Sequence, residues 1–269
     1  MYSMKETGDC KPNVLCFSGL DPTGGAGIQA DIEALFSAGC HCLPVVTALT
    51  VQDTHNVRAS HPVAPTLLIA QARAVLDDMP VAAIKIGLLG SIQAAEAIHS
   101  ILRDHPDIPV ILDPILRAGG GFDFSADDIR SAMRNFLIPL TTILTPNTLE
   151  LRLLTDATND PEASARELLE LGCQHVLLTG THAESPSVIN SLYTLLQTPR
   201  LYEWPRLPAE YHGSGCTLAA SLAGYIAKGL SVAEAARQAQ HFTWQSLQAG
   251  QRPGAGQWLP DRGYGCRST

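Results

Sequence analysis

Val14-Leu15-Cys16-Phe17-Ser18 runs straight into Gly19-Leu20-Asp21-Pro22-Thr23-Gly24-Gly25-Ala26-Gly27, and Ile28 to Ser37 follows with apolar residues at helical spacing (Ile28, Ile32, Leu35, Phe36). A short apolar run, a glycine-rich loop and an amphipathic segment read as buried strand, loop and helix. That is a ligand-binding layout at the carboxyl edge of a parallel sheet. The loop is neither a phosphate loop ending in Gly-Lys-Ser/Thr nor a Gly-x-Gly-x-x-Gly fingerprint, so by itself it names no ligand.

The same alternation continues outward. Further strands are predicted at Leu43–Val51, Ala83–Leu89, Val110–Pro114, Thr142–Asn147 and His175–Gly180. Helices are predicted at Pro65–Met79, Ile92–Leu102, Ala126–Phe136 (with Ser125 as N-cap), Thr148–Leu154, Ala163–Leu171 and Val232–Gln248. Val188–Leu196 and Arg200–Arg206 read as a hairpin. Alternating strands and helices call for an α/β fold with a mostly parallel central sheet and helices on both faces, three layers in all. Right-handed crossovers then bring every strand's polar exit to one edge. We expect a single domain over residues 1–269, with 1–12 and 250–269 irregular.

Composition narrows the partners. The 269 residues are 45% hydrophobic and carry a net charge of -8 without a basic patch, which argues against nucleic acid. The longest span free of formal charge, Ala34 to Gln52, contains Gly39, His41 and Pro44 and reads as a helix end plus a strand, not a membrane segment. Met1 to Pro12 lacks the apolar run of a signal peptide. Seven cysteines, with Cys40 and Cys42 too close for a usual zinc pair, predict reduced thiols in a cytoplasmic protein.

The chemistry gathers in Tyr211-His212-Gly213-Ser214-Gly215-Cys216-Thr217-Leu218-Ala219-Ala220-Ser221-Leu222. This reads as a loop turning into a helix with Cys216 in the first turn. Free backbone N–H groups and the helix dipole favour an anion there, and Gly213 and Gly215 let the backbone approach it. The same field is expected to lower the Cys216 pKa, making it a candidate base or nucleophile. The bland alternative is a glycine turn before a buried helix with a core cysteine. Asp113 and Glu150, both after strands, either cap helices or hold Mg²⁺ through its waters. An anion hole, a metal and a poised base together describe phosphoryl transfer.

With these motifs in order, the chain resembles the hydroxymethylpyrimidine/phosphomethylpyrimidine kinases of thiamine biosynthesis, in the ribokinase superfamily. The carriers are Gly19 to Asp31, Thr47-Ala-Leu-Thr-Val-Gln-Asp-Thr54, Lys85-Ile-Gly-Leu-Leu89, Leu112-Asp-Pro114, Thr145-Pro-Asn-Thr-Leu-Glu150 and His212-Gly-Ser-Gly-Cys-Thr217. The resemblance implies a ribokinase-like fold, ATP and Mg²⁺ as cofactors, and usually a homodimer. It implies that Gly19, Ala26 and Asp31 line the pyrimidine pocket, that Gln52 bonds the aminopyrimidine ring, and that Leu88 and Ile115 form its wall. Asp113 and Glu150 would organise the metal. Asn147, Glu150 and Thr179 would face the nucleotide. Gly213, Ser214, Gly215 and Cys216 would form the anion hole and base, where superfamily relatives usually carry Asp in place of Cys216.

The chain departs from that pattern at three places. Thr179-Gly180-Thr181-His182 stands where Lys-Gly-Gly-His is common. The loop after Asp113-Pro114 reads Ile115-Leu-Arg-Ala-Gly-Gly-Gly121, and Leu207-Pro-Ala-Glu-Tyr211 lacks a basic residue. Two positive charges near the phosphates are thus missing, and Arg117 is a candidate replacement for one. The rival functions are a pyridoxal kinase on the same fold and a pyrimidine-binding relative without catalysis. A thiol hydrolase lacks a partner histidine, because His212 sits on the loop side of Cys216 and is expected to shape the turn.

Overall fold

The computed structural model describes residues 10–117, 120–121, 124, 127–156, 160–180 and 185–267. Ser125, Thr181 and His182 lie outside the described residues. The strands are β1 (Asn13–Leu20), β2 (His41–Gln52), β3 (Val57–Pro62), β4 (Val81–Ile86), β5 (Val110–Leu112), β6 (Ile143–Leu144), β7 (His175–Leu178), β8 (Ser187–Thr194) and β9 (Arg200–Pro205). The helices are α1 (Gly27–Ser37), α2 (Pro65–Asp78), α3 (Ile92–Asp104), α4 (Asp127–Ala132), α5 (Thr148–Leu154), α6 (Pro161–Glu170), α7 (Ser214–Ala227) and α8 (Val232–Gln248). The strands join one sheet in the order β3-β2-β1-β4-β5-β6-β7-β8-β9. The pairs from β2 through β7 are parallel, while β3, β8 and β9 pair antiparallel at the two ends.

Residue alternation decides the layering. In β1, Leu15 and Phe17 enter one core with Leu68, Ile98, Leu151 and Leu168 of α2, α3, α5 and α6. Val14 and Cys16 enter the opposite core with Leu35, Ala219, Leu222 and Ala236 of α1, α7 and α8. Both phases of the strand are apolar because both faces are covered, which is why it reads as a continuous apolar run. The expected three layers follow.

Some expectations need correction. After the polar exit of β2 the chain doubles back as β3, which the sequence reading missed. Val57-Arg-Ala-Ser-His-Pro62 is polar and ends in proline, as an edge strand can afford to be, so it gives little strand signal. The helix expected over Ala126–Phe136 starts at Asp127, widens to a π turn at Met133–Leu137 and tightens to a 3-10 turn at Ile138–Leu140. Pro139 has no N–H to continue the α-helical ladder. The tail after Gly250 has little regular structure: two bridges, Tyr211 with Trp258 and Gln251 with Leu259, and a 3-10 turn at Tyr264–Arg267. It is nonetheless packed down, and Arg262 is buried. Among the described residues no helix is long and apolar enough to cross a membrane, and Cys10, Cys16, Cys40, Cys42, Cys173 and Cys216 are free thiols.

Candidate active site

The carboxyl ends of the parallel strands open into one cavity of about 770 Å³. Gly19 comes from the end of β1, with Asp21, Ala26 and Gly27 from the loop after it. Gln52 ends β2, Leu88 follows β4, and Asp113 and Ile115 follow β5. Asn147 and Glu150 follow β6, Thr179 follows β7, and Gly213, Ser214, Gly215 and Cys216 close the circle. The structure therefore brings together every site residue expected from the sequence except Asp31.

The glycines on this rim are required by close packing. Gly213 caps α7 with φ +82°, and a Cβ there would sit 1.8 Å from the Gly25 carbonyl oxygen. Gly27 has φ +61°, and its Cβ would sit 2.2 Å from the Gly19 carbonyl oxygen. Only glycine tolerates both the dihedral and the approach. Ser214, Gly215 and Cys216 form the first turn of α7, where backbone N–H groups lack intrahelical acceptors. A Cβ on Gly215 would lie 3.8 Å from both carboxylate oxygens of Asp113, so this turn faces that acid.

Cys216 borders the cavity but is only 6% exposed. The expected lowering of its pKa is not what the site provides. Burial pushes the thiol up to about 12; Lys85 pulls it down, but Asp113 and Asp31 push it further up. The partial charge of a helix end is outweighed by desolvation and two nearby carboxylates. In the unliganded protein Cys216 holds its proton.

Asp113 and Glu150 are shifted in the same direction. Burial raises the Asp113 carboxyl to about 6, with Lys85 opposing and Asp31 adding to the rise. Burial and the charge of Asp113 raise Glu150 to about 8. Glu150 is also half of a capping box: its Oε2 accepts from the Asn147 N–H at 2.9 Å, while Asn147 Oδ1 accepts from the Glu150 N–H at 2.9 Å. Capping and cavity-lining thus coexist in the same two residues. Asp113 Oδ2 is buried without a hydrogen-bond partner. Two buried carboxylates of raised proton affinity, the charge of Asp113 adding to the rise at Glu150 and one oxygen of Asp113 orphaned, fit a divalent cation that keeps most of its waters. Among the described residues no group of three or more His, Cys, Asp or Glu forms a closed metal cage.

Asp31 is a correction. It does not line the cavity but lies one layer behind it, on the sheet side of α1. Its Oδ1 pairs with Lys85 Nζ at 2.9 Å, both side chains being fully buried, and its Oδ2 accepts from Ser18 Oγ at 2.5 Å. Lys85 is the penultimate residue of β4 and fully buried, where an unpaired ammonium would be untenable, so the acid is committed to it.

Asp21 went unnoticed in the sequence and organises the first loop. Its carboxylate accepts from the Thr23 and Ala26 N–H groups at 2.8 and 2.9 Å and from His212 Nε2 at 2.8 Å. Burial draws its pKa up, but the His212 and Thr23 hydrogen bonds more than offset this and hold it below the ordinary value. His212 does shape the turn, by tying it to the first loop. Gln52 donates to Thr50 Oγ1 at 2.7 Å, and Thr50 in turn donates to the Leu20 carbonyl at 2.8 Å. Thr179 is joined to the strand-exit loop by its N–H bond to the Pro146 carbonyl at 2.9 Å. Arg117 and Arg206 both border the cavity. Arg206 gives no signal in the sequence, because it closes a strand that carries no motif.

The phosphomethylpyrimidine kinase family model matches residues 21–261. A hydroxymethylpyrimidine/phosphomethylpyrimidine kinase of Streptomyces coelicolor is 34% identical over 258 residues, covering 94% of this chain and 95% of its own. A thiamine biosynthesis bifunctional protein of Geobacter sulfurreducens is 34% identical over 248 residues, or 91% of this chain, which spans only 51% of that longer relative. Among solved structures, an ADP complex of Bacillus subtilis pyridoxal kinase superposes with a TM-score of 0.87 at 25% identity, covering 96% of this chain and all of that one. The fold is accordingly ribokinase-like. Matched from the first glycine loop to the tail, with its motifs gathered on one cavity, the chain belongs to the phosphomethylpyrimidine kinase family.

Proposed function

We propose that the chain transfers a phosphoryl group from ATP to the hydroxymethyl oxygen of 4-amino-5-hydroxymethyl-2-methylpyrimidine, and then a second to the monophosphate, giving the diphosphate. The observation that carries this reading is the single cavity on which Gln52, Asp113, Glu150 and the first turn of α7 converge. Gln52 and Gly19 hold the pyrimidine against Leu88 and Ile115. The N–H groups of Gly213 to Cys216 neutralise the phosphoryl in flight, where preorganised donors are most effective. Cys216 takes the proton of the attacking alcohol. Asn147 and Thr179 face the nucleotide phosphates, and Arg117 and Arg206 provide positive charge where relatives often carry lysine. Asp113 and Glu150 would hold Mg²⁺, which would supply charge neutralisation on the phosphates. Neutralising Asp113 also removes one of the charges that keep the proton on Cys216. The setting that goes with this reading is a cytoplasmic homodimer of one catalytic domain.

An ADP-release assay with the pyrimidine alcohol, its monophosphate and pyridoxal tests the assignment. A kcat/KM for the pyrimidine alcohol well above that for pyridoxal supports it. The reverse order selects the pyridoxal kinase reading, which the structural likeness to the Bacillus subtilis enzyme favours. Binding without turnover selects the non-catalytic reading. Gln52→Ala is expected to weaken pyrimidine binding about tenfold, the worth of one hydrogen bond. Isothermal titration checks this, and an unchanged constant would remove Gln52 from the pocket.

A further inference from the structure

Arg262 lies one residue beyond the segment that the family model matches, in a tail with no motif, yet it is 2% exposed. Its guanidinium reaches three separate elements. Nε donates to Thr217 Oγ1 in α7 at 2.8 Å. Nη1 donates to Glu33 Oε2 in α1 at 3.0 Å and to the Gly24 carbonyl at 3.4 Å. Nη2 donates to the Gly25 carbonyl at 2.5 Å. Thr217 passes the link on, its Oγ1 donating to the Gly213 carbonyl at 2.8 Å. The Arg262 backbone is held as well, its carbonyl accepting from Ser37 Oγ at 2.6 Å.

The approach of the tail is also fixed. Gly256 N–H donates to Thr54 Oγ1 at 3.0 Å and Gln257 N–H to the Thr54 carbonyl at 2.8 Å, beside the Gln52 exit of β2. His212 N–H donates to the Trp258 carbonyl at 2.9 Å, next to the turn that opens α7. One strap therefore touches the loop after β2, the loop after β1 and the start of α7. A surface arginine would not need such a set of acceptors. A guanidinium is a rigid planar fork with five donors, suited to fixing several groups at set distances.

We propose that Arg262 is a positioning residue for phosphoryl transfer, locking the Gly24-Gly25 loop to the first turn of α7 so that Cys216 and its neighbouring N–H groups stay in register with the pyrimidine pocket. This rests on the reading of Gly213 to Cys216 as anion hole and base. Arg262 touches no reacting atom. Its loss lets the two loops drift apart, and small misplacements of reacting groups cost about 100-fold in rate.

The test is steady-state kinetics on the full chain, well below each variant's thermal midpoint. Arg262→Ala is expected to lower kcat about 100-fold while KM for the pyrimidine alcohol stays within about threefold. Added guanidinium at millimolar concentration is expected to recover part of kcat. A kcat within threefold of the parent overturns the proposal. So does a fall in kcat that disappears once rates are referred to the folded fraction measured by circular dichroism, which is the behaviour of a purely structural arginine. Should Arg262→Ala fail to fold, Arg262→Lys decides: it keeps the charge but not the fork, and its kcat is expected to fall about tenfold. A value within twofold overturns the proposal. If the parent itself turns over none of the three substrates, the functional reading fails before any variant is made and takes this proposal with it.

Discussion

Cys216→Ala is expected to lose about 10³-fold in kcat, or about 4 kcal/mol of transition-state stabilisation, while pyrimidine affinity changes by less than about threefold. The asymmetry follows from the site. The thiol is buried at the cavity wall and faces Asp113, so it contributes little surface to a bound ring. In the proposed mechanism its role as proton acceptor exists only once the alcohol attacks. The pH profile adds an independent check. In the proposed mechanism the active form is the thiolate, and the free protein holds the proton with a pKa of about 12, so kcat/KM is expected to climb between pH 7 and 9. Glu150 loses its proton in the same interval, near 8, and moves the rate in the same direction. Cys216→Asp places a stronger acid at the same point and is expected to recover part of the turnover, with a profile that keeps only the rise centred near 8 from Glu150 and levels off above it. An alanine variant that keeps its turnover would show that the alcohol's proton leaves by another route.

The parts of the molecule that could be read from the sequence are those whose cause is local. β1 announced itself because both of its faces are buried, so every residue from Val14 to Phe17 is apolar. α5 was placed at Thr148–Leu154, after the polar exit of a strand and with Glu150 in its first turn, and the structure closes that turn with a capping box of Asn147 and Glu150. Most of the cavity residues were named by the family resemblance, and a parallel sheet brings the strand exits that carry them to one edge. What stayed hidden depends on partners far away in the chain. Asp31 read as a pocket residue because its place in the first motif says nothing about Lys85, which lies in β4 and claims it. The Cys216 pKa was expected on the wrong side because a helix end is visible in sequence, whereas the carboxylates around it are assembled only by folding. Arg262 had no signal at all, its acceptors being two loop carbonyls and the Glu33 carboxylate more than two hundred residues earlier, together with the Thr217 hydroxyl of α7.

Asp113→Asn is expected to lose turnover about 10³-fold and yet make the unliganded protein more stable at alkaline pH. Asp113 and Glu150 are acids whose pKa values are raised in the folded protein, to about 6 and about 8. Between the ordinary carboxylate range and those values the folded state binds more protons than the unfolded chain. Stability therefore falls as pH rises through that interval, and the loss is complete above about 8. Below the ordinary range both states are protonated and the two acids contribute nothing. Removing the Asp113 charge abolishes its own penalty and lowers that of Glu150, whose pKa it helps to raise. The unliganded thermal midpoint at pH 8 is expected to rise by roughly 2–6 °C, with little change at pH 4. On the proposed assignment of Asp113 and Glu150 to Mg²⁺, any stabilisation that Mg²⁺ and ATP give the parent is expected to be largely lost, because the cation would compensate the two buried charges. Calorimetry at the two pH values, with and without Mg²⁺-ATP, separates these terms. A variant that is less stable at pH 8 and still responds fully to Mg²⁺-ATP would mean that Asp113 is held by Cys216 and Lys85 as a structural acid, and that the cation sits elsewhere on the cavity.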